Sequence, residues 1–266
     1  TDERYKPSKL TIAENLNGLL KNNGYDLKIV NAGIEGQSTF GHIYIFKHWF
    51  TKLKDFSPKL YIFYIGLNDY GFGPDEDNYT NIQEGDGHVK NPEAIEVFFD
   101  TIKSSSFFID KIRILKQKYY STSRTVKYDH DTYIKNLENF EYINYNQAMK
   151  LHDVEKLKIK HKKIIDRYLS RVKTLNNFVI KRNGTAVFIN QVRADGLKHE
   201  KLFILNHSLI KYCKETGMHC IDLAAKLEGK INYWFDLSHT TGLGSEIISK
   251  TVIDDLVKII KQKNIF

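Results

Sequence analysis

The chain has 266 residues and a mass of 31.1 kDa, with 41% hydrophobic and 13% aromatic residues, enough for one sizeable core and far from a disordered composition. No apolar stretch reaches the roughly 18 residues of a membrane-spanning helix, and no charged-then-apolar leader stands at the front, so the chain as given reads as soluble. Its formal charge is +8, without stacking motifs or a nucleic-acid module, and no nucleic-acid partner is expected. It opens with Thr1 rather than Met, which leaves open export, or anchoring through a segment upstream. Cys213 and Cys220 make no disulfide framework and fit no common zinc spacing, so two buried thiols are expected.

Residues 10–22 carry apolar side chains at helical spacing and begin the chain with an amphipathic helix. Residues 26–32 (DLKIVNA) follow as a short β-branched run, read as a buried parallel strand. It leads into Asn31, Gly33 and Gly36. A glycine at such a place can point its N–H at a ligand, and it equally serves an ordinary turn. Residues 41–54 are a second amphipathic stretch and residues 59–65 (KLYIFYI) a second strand, which ends at Gly66, Asn68 and Asp69. An Asn side chain there can donate to an oxygen that gains negative charge, although Asn and Asp also favour turns for local reasons.

From residue 71 the strand–helix rhythm is interrupted by polar, glycine-bearing and then Tyr-, Phe- and Asn-rich sequence, read as an insertion at about 71–184 within a single domain spanning 1–266. Material at the carboxyl end of a strand overhangs the ligand crevice of an open α/β sheet, as a lid or substrate wall. Residues 150–182 hold eleven Lys or Arg against Asp153, Glu155 and Asp166, with apolar residues at helical spacing. They are read as one amphipathic helix whose basic face is either simply solvated or attracted to a membrane surface, an anionic polymer or an acidic substrate.

The rhythm resumes with a strand at 185–191 (TAVFINQ), a helix at 199–215, a strand at 219–223 (HCIDL) and a final helix at 243–262. Gln191 and Arg193 follow the first of these strands and are placed to contact a polar substrate. Before the last helix stand Asp236, His239, Thr241 and Gly244. Three-residue spacing on a loop lets one carboxylate reach one imidazole, fix its tautomer and stabilise the imidazolium while the other ring nitrogen takes a proton from a nucleophile. Thr241 is placed to cap the helix. Taken alone, D-x-x-H also fits a surface pair or a metal-binding pair.

All three clusters fall at carboxyl ends of strands, where α/β proteins build sites. N-x-G-x-x-G, G-x-N-D and D-x-x-H-x-T-x-x-G in this order resemble the SGNH (GDSL-type) hydrolases, over residues 10–70 and 185–262. The resemblance implies a three-layer α/β/α sandwich with a five-stranded, flavodoxin-like parallel sheet. It implies His239 as general base, Asp236 as its orienting partner, and the Gly36 N–H and Asn68 side chain as oxyanion donors. It implies a carboxylic ester hydrolase acting on a small-molecule, glycan or lipid ester, without metal or organic cofactor.

One block of the family pattern is not found: the first strand with its G-x-S turn. Ser8, in Lys-Pro-Ser-Lys, lacks both the glycine and a preceding strand, so the first strand and its nucleophilic serine are expected upstream of Thr1. Three other readings share these residues. An O-acyltransferase uses the same covalent chemistry; a carbohydrate- or lipid-binding pseudoenzyme keeps the fold without the serine; and an α/β-hydrolase would use Ser38, where the second glycine of G-x-S-x-G comes one residue late.

Overall fold

The computed structural model describes residues 11–33, 36–53, 56–71 and 141–265. Ser8, and the part of the expected insertion from 72 to 140, lie outside the described residues. In chain order the elements are α1 (Ile12–Asn22), α2 (Thr39–His48), β1 (Leu60–Ile65), α3 (Leu67–Tyr70), α4 (Tyr145–Leu151), α5 (Val154–Lys160), α6 (Lys162–Lys181), β2 (Thr185–Asn190), α7 (Glu200–Thr216), β3 (His219–Ile221), α8 (Leu223–Lys226) and α9 (Gly242–Gln262). The fold class is α/β, as the alternation of strand and helix signals predicts.

The described strands form a parallel sheet in the order β1-β2-β3, with Leu60 opposite Thr185 and Val187 opposite His219. Every residue of β2 except Thr185 is buried, which requires cover on both faces. The helix α6 packs on β2, α2 and α7, while α9 packs on β3 and α1. Tyr168, Phe188 and Phe203 are among the largest side chains sealed in the core between them. Helix starts follow local chemistry. Thr11 and Glu14 form a reciprocal capping box at α1, and the Thr241 hydroxyl accepts from the Gly244 N–H at α9, which satisfies donors that have no partner inside the helix.

Four expectations are corrected. Residues 26–32 do not join the sheet, although their burial alternates along the segment as in a strand. The Asn17 side chain takes the place of a neighbouring strand, its Oδ1 accepting from Ile29 N at 2.6 Å and its Nδ2 donating to Ile29 O at 3.1 Å. Among the described residues no strand lies alongside to pair with the segment, and a strand cannot form a ladder alone. The stretch at 41–54 is helical from Thr39 only to His48 and ends in a 3-10 turn, Phe50–Lys52.

The single helix expected over 150–182 is instead the end of α4, at Leu151, followed by α5 and α6, which part at His161 (φ −110°, ψ 18°). Its buried ring meets Glu200 at 3.1 Å, so a contact to α7 sets the break. Finally, Cys213 and Cys220 are joined in a disulfide with Cα atoms 6.1 Å apart, not two thiols. Gly217, at φ 72°, ends α7 in the left-handed conformation and turns the chain at once into β3, which returns Cys220 to the helix that carries Cys213.

Candidate active site

The loop from Phe235 to Thr240 is built around one carboxylate. Asp236 Oδ1 accepts from Ser238 N at 2.6 Å and His239 N at 2.7 Å, and its Oδ2 lies 2.6 Å from His239 Nδ1. Phe235 N donates to His239 O, Trp234 bridges Thr240, and Thr241 N donates to Tyr233 O. This closes a tight hairpin in front of α9. Gly244 sits where a Cβ would stand 1.9 Å from Tyr233 O, so only glycine lets the hairpin lie on the helix. Burial raises the Asp236 pKa, but the bonds from the His239 ring and from the Ser238 and His239 N–H groups outweigh it and leave the carboxyl below its ordinary value. An ionised Asp236 selects the tautomer with the proton on Nδ1, which places the basic lone pair of His239 on Nε2. The ring is 59% exposed. Among the described residues no cluster of three His, Cys, Asp or Glu could hold a metal.

A second group forms where β1 ends. Gly66 has φ 120°, a conformation that side chains rarely adopt, and a Cβ there would lie 3.2 Å from Asn206 Oδ1. The turn is held by Leu67 N donating to Gln191 Oε1 at 2.9 Å. Asn68 Nδ2 donates to Gln37 O at 3.1 Å, one residue beyond Gly36, itself at φ 74°. A carboxamide carries two N–H groups, and this bond uses one of them.

Asp69, 4% exposed, accepts from Thr39 N at 3.1 Å and from Thr39 Oγ1 at 2.5 Å. It therefore ties the start of α2 to α3. Burial pushes its pKa up, against the pull of the Thr39 bonds and of Arg171 and Arg167. The two turns predicted to hold oxyanion donors are thus clasped together. Ser38, by contrast, is buried in extended backbone at φ −89°, not on the strained, outward elbow that an α/β-hydrolase nucleophile occupies.

Gln191 and Arg193 act as braces. Gln191 holds Leu67, as above, and its own carbonyl accepts from Asn206 Nδ2 at 2.7 Å. Arg193 donates to the Tyr70 hydroxyl at 2.9 Å and to Asp195 Oδ2 at 3.0 Å, while its Nε lies 3.0 Å from Asp195 Oδ1. Next to it, Ala194 N donates to Leu237 O at 3.0 Å. A continuous path therefore runs from Asn68 through α3 to Tyr70, Arg193 and Ala194, and on to the loop of Asp236 and His239. Sequence reasoning missed Thr39, Tyr70, Asp195 and Asn206. Thr39, Tyr70 and Asn206 are remote in sequence from the residues they support, so no local spacing marks them, whereas Asp195 stands two residues from Arg193 and that spacing could have found it.

Neither a protein-family model nor a curated protein sequence matches the chain. Among solved structures it is similar to the crystal structure of a "putative acylhydrolase" from Bacteroides fragilis NCTC 9343, with 12% identity, a TM-score of 0.46, and coverage of 94% of this chain and 84% of that one. Likeness at that level assigns no activity.

Proposed function

We propose that the chain is a serine ester hydrolase of the SGNH, GDSL-type kind. The observation that carries this reading is the Asp236 carboxylate, held by three hydrogen bonds from its own loop with His239 Nδ1 at 2.6 Å. That arrangement suits a general base better than a surface ion pair, because two backbone N–H groups fix the carboxylate through Oδ1 and so aim Oδ2 at one imidazole. The nucleophile is a serine outside the described residues, expected on a glycine-rich turn upstream of Thr1.

In the reaction, His239 Nε2 takes the serine proton as Oγ attacks the ester carbonyl. The oxyanion receives hydrogen bonds from the second Asn68 N–H and from Gly36 N. The proton on Nε2 then passes to the departing alcohol, and water, activated by the same nitrogen, releases the acid. An O-acyltransferase differs only in the final acceptor, a sugar hydroxyl in place of water. Treating the full-length protein with a fluorophosphonate and mapping the adduct by mass spectrometry tests the reading. Labelling on a serine upstream of Thr1, lost in His239→Ala, is expected; an adduct on Ser8 or Ser38, or labelling that survives His239→Ala, overturns it.

A further inference from the structure

We propose that Tyr168 and Asn206 together bind one buried water behind the Gly66 turn, and through it act as positioning residues for Asn68. The catalytic consequence rests on the reading of Asn68 as an oxyanion donor; the water itself does not.

Tyr168 stands on α6 and Asn206 on α7, each only 1% exposed. Their polar tips converge on one spot: a Cβ on Gly66 would lie 3.2 Å from Asn206 Oδ1 and 3.6 Å from the Tyr168 hydroxyl. Neither of these two oxygens has a hydrogen-bond partner among the described residues. The Asn206 carboxamide is fixed in its orientation, because Nδ2 donates to Gln191 O at 2.7 Å and a flipped amide would set two oxygens face to face. Oδ1 is therefore an acceptor that lacks a donor. Tyr168 brings a hydroxyl that stays protonated, since burial first and the charge of Asp69 second push its pKa well above the ordinary value.

A buried polar atom left without a partner costs folding free energy, and protein interiors meet such atoms with ordered water that bridges them. One water completes this set, accepting from the Tyr168 hydroxyl and donating to Asn206 Oδ1. Residue 66, a glycine, brings no side chain to the spot. The water thus links α6 and α7 to the end of β1, beneath the turn that carries Asn68. Leu67 N in the same turn donates to Gln191 Oε1, and Asn206 holds the Gln191 carbonyl. Asn206 therefore bears on the turn by two routes, through the water and through Gln191.

High-resolution crystal structures of the chain and of Tyr168→Phe, with urea unfolding of both, test the water. Density within hydrogen-bonding distance of both Tyr168 Oη and Asn206 Oδ1 is expected in the parent and not in the variant. Tyr168→Phe keeps the ring and its packing, and should lower the folding constant about fivefold, the contribution of one hydrogen bond. A hydroxyl without a partner would instead be a cost that the substitution removes. An unchanged or raised urea midpoint therefore overturns the proposal, as does a direct bond between Tyr168 and Asn206 with no water between them. Positioning is read in two ways. In Tyr168→Phe the Leu67 amide should exchange faster by more than the loss of global stability accounts for, and in the full-length protein kcat should fall at unchanged KM. Unchanged Leu67 exchange, or an unchanged kcat in an active parent, overturns the positioning role. A full-length parent that hydrolyses no ester removes the reading of the site, while density, unfolding and exchange still decide the water and its hold on the turn.

Discussion

Asp236 shows how a short loop can set the protonation of its own members. Its pKa lies below the ordinary carboxylate value of 3.8 because the charged form accepts the Ser238, His239 and imidazole donors. For a carboxyl depressed in the folded state, the stabilisation is present above the unfolded value and disappears as pH falls through the folded one. The Ser238 and His239 amides should therefore stay protected from hydrogen exchange throughout the neutral and mildly acid range and lose protection only below about pH 3.8. In Asp236→Ala they should exchange freely at every pH, as NMR would show. Asn68 carries a different load. Under the proposed reaction Asn68→Ala should lower kcat by roughly 10² to 10³ with little change in KM, the signature of a donor used in the transition state; a change in KM alone would make Asn68 a substrate contact instead.

At the scale of elements, the site depends on backbones that meet with no room for a Cβ. Gly244 is the clearest case, since the added methyl would stand 1.9 Å from Tyr233 O, 2.8 Å from its carbonyl carbon and 3.1 Å from its Cα. All of these are main-chain atoms that cannot rotate aside. Gly244→Ala should cost about 1–3 kcal/mol, the range for overpacking, and should push the hairpin of residues 233–241 off α9. The measurement is urea unfolding beside the chemical shift of the His239 ring. A stable variant with an unmoved imidazole would show that the hairpin does not rest on that contact. Gly66 is needed at the other turn for a different reason, its φ of 120°, which side chains rarely adopt.

For the whole molecule, the disulfide between Cys213 and Cys220 joins the last turns of α7 to β3 and so fixes the helix to the far edge of the described sheet. It closes a short loop, and the loss of chain entropy in the unfolded state should contribute about 2–3 kcal/mol. Replacing both cysteines by Ala should lower the urea midpoint accordingly and leave the loop of Asp236 and His239 unchanged. Unfolding in iodoacetamide without reductant should add no label, whereas two labels would restore the picture of free thiols. Among the described residues no helix is long and apolar enough to cross a membrane.

Much was legible in the residues themselves because the signals are local. The strand at 59–65, the helix at 199–215 and the last helix follow from side-chain periodicity, and each lies within about two residues of its expected bounds. Thr241 as a cap and Asp236 beside His239 follow from spacing of three, which a single loop can satisfy without help from the rest of the chain. What escaped was whatever depends on a distant neighbour. Residues 26–32 have the composition and alternating burial of a strand, yet strand pairing needs a second chain segment, and Asn17 supplies the hydrogen bonds instead. The break at His161 comes from Glu200 on another helix, and the disulfide from the way Gly217 reverses the chain. Gln191 and Arg193, expected near a substrate, also hold the turn after β1 and the segment beside the Asp236 loop, contacts that no local spacing announces. Sequence alone determined which residue types stand at the ends of which elements, because propensity and periodicity act over a few residues. Only the tertiary structure decided their partners, because hydrogen bonds and close backbone contacts form between segments that only the fold brings together.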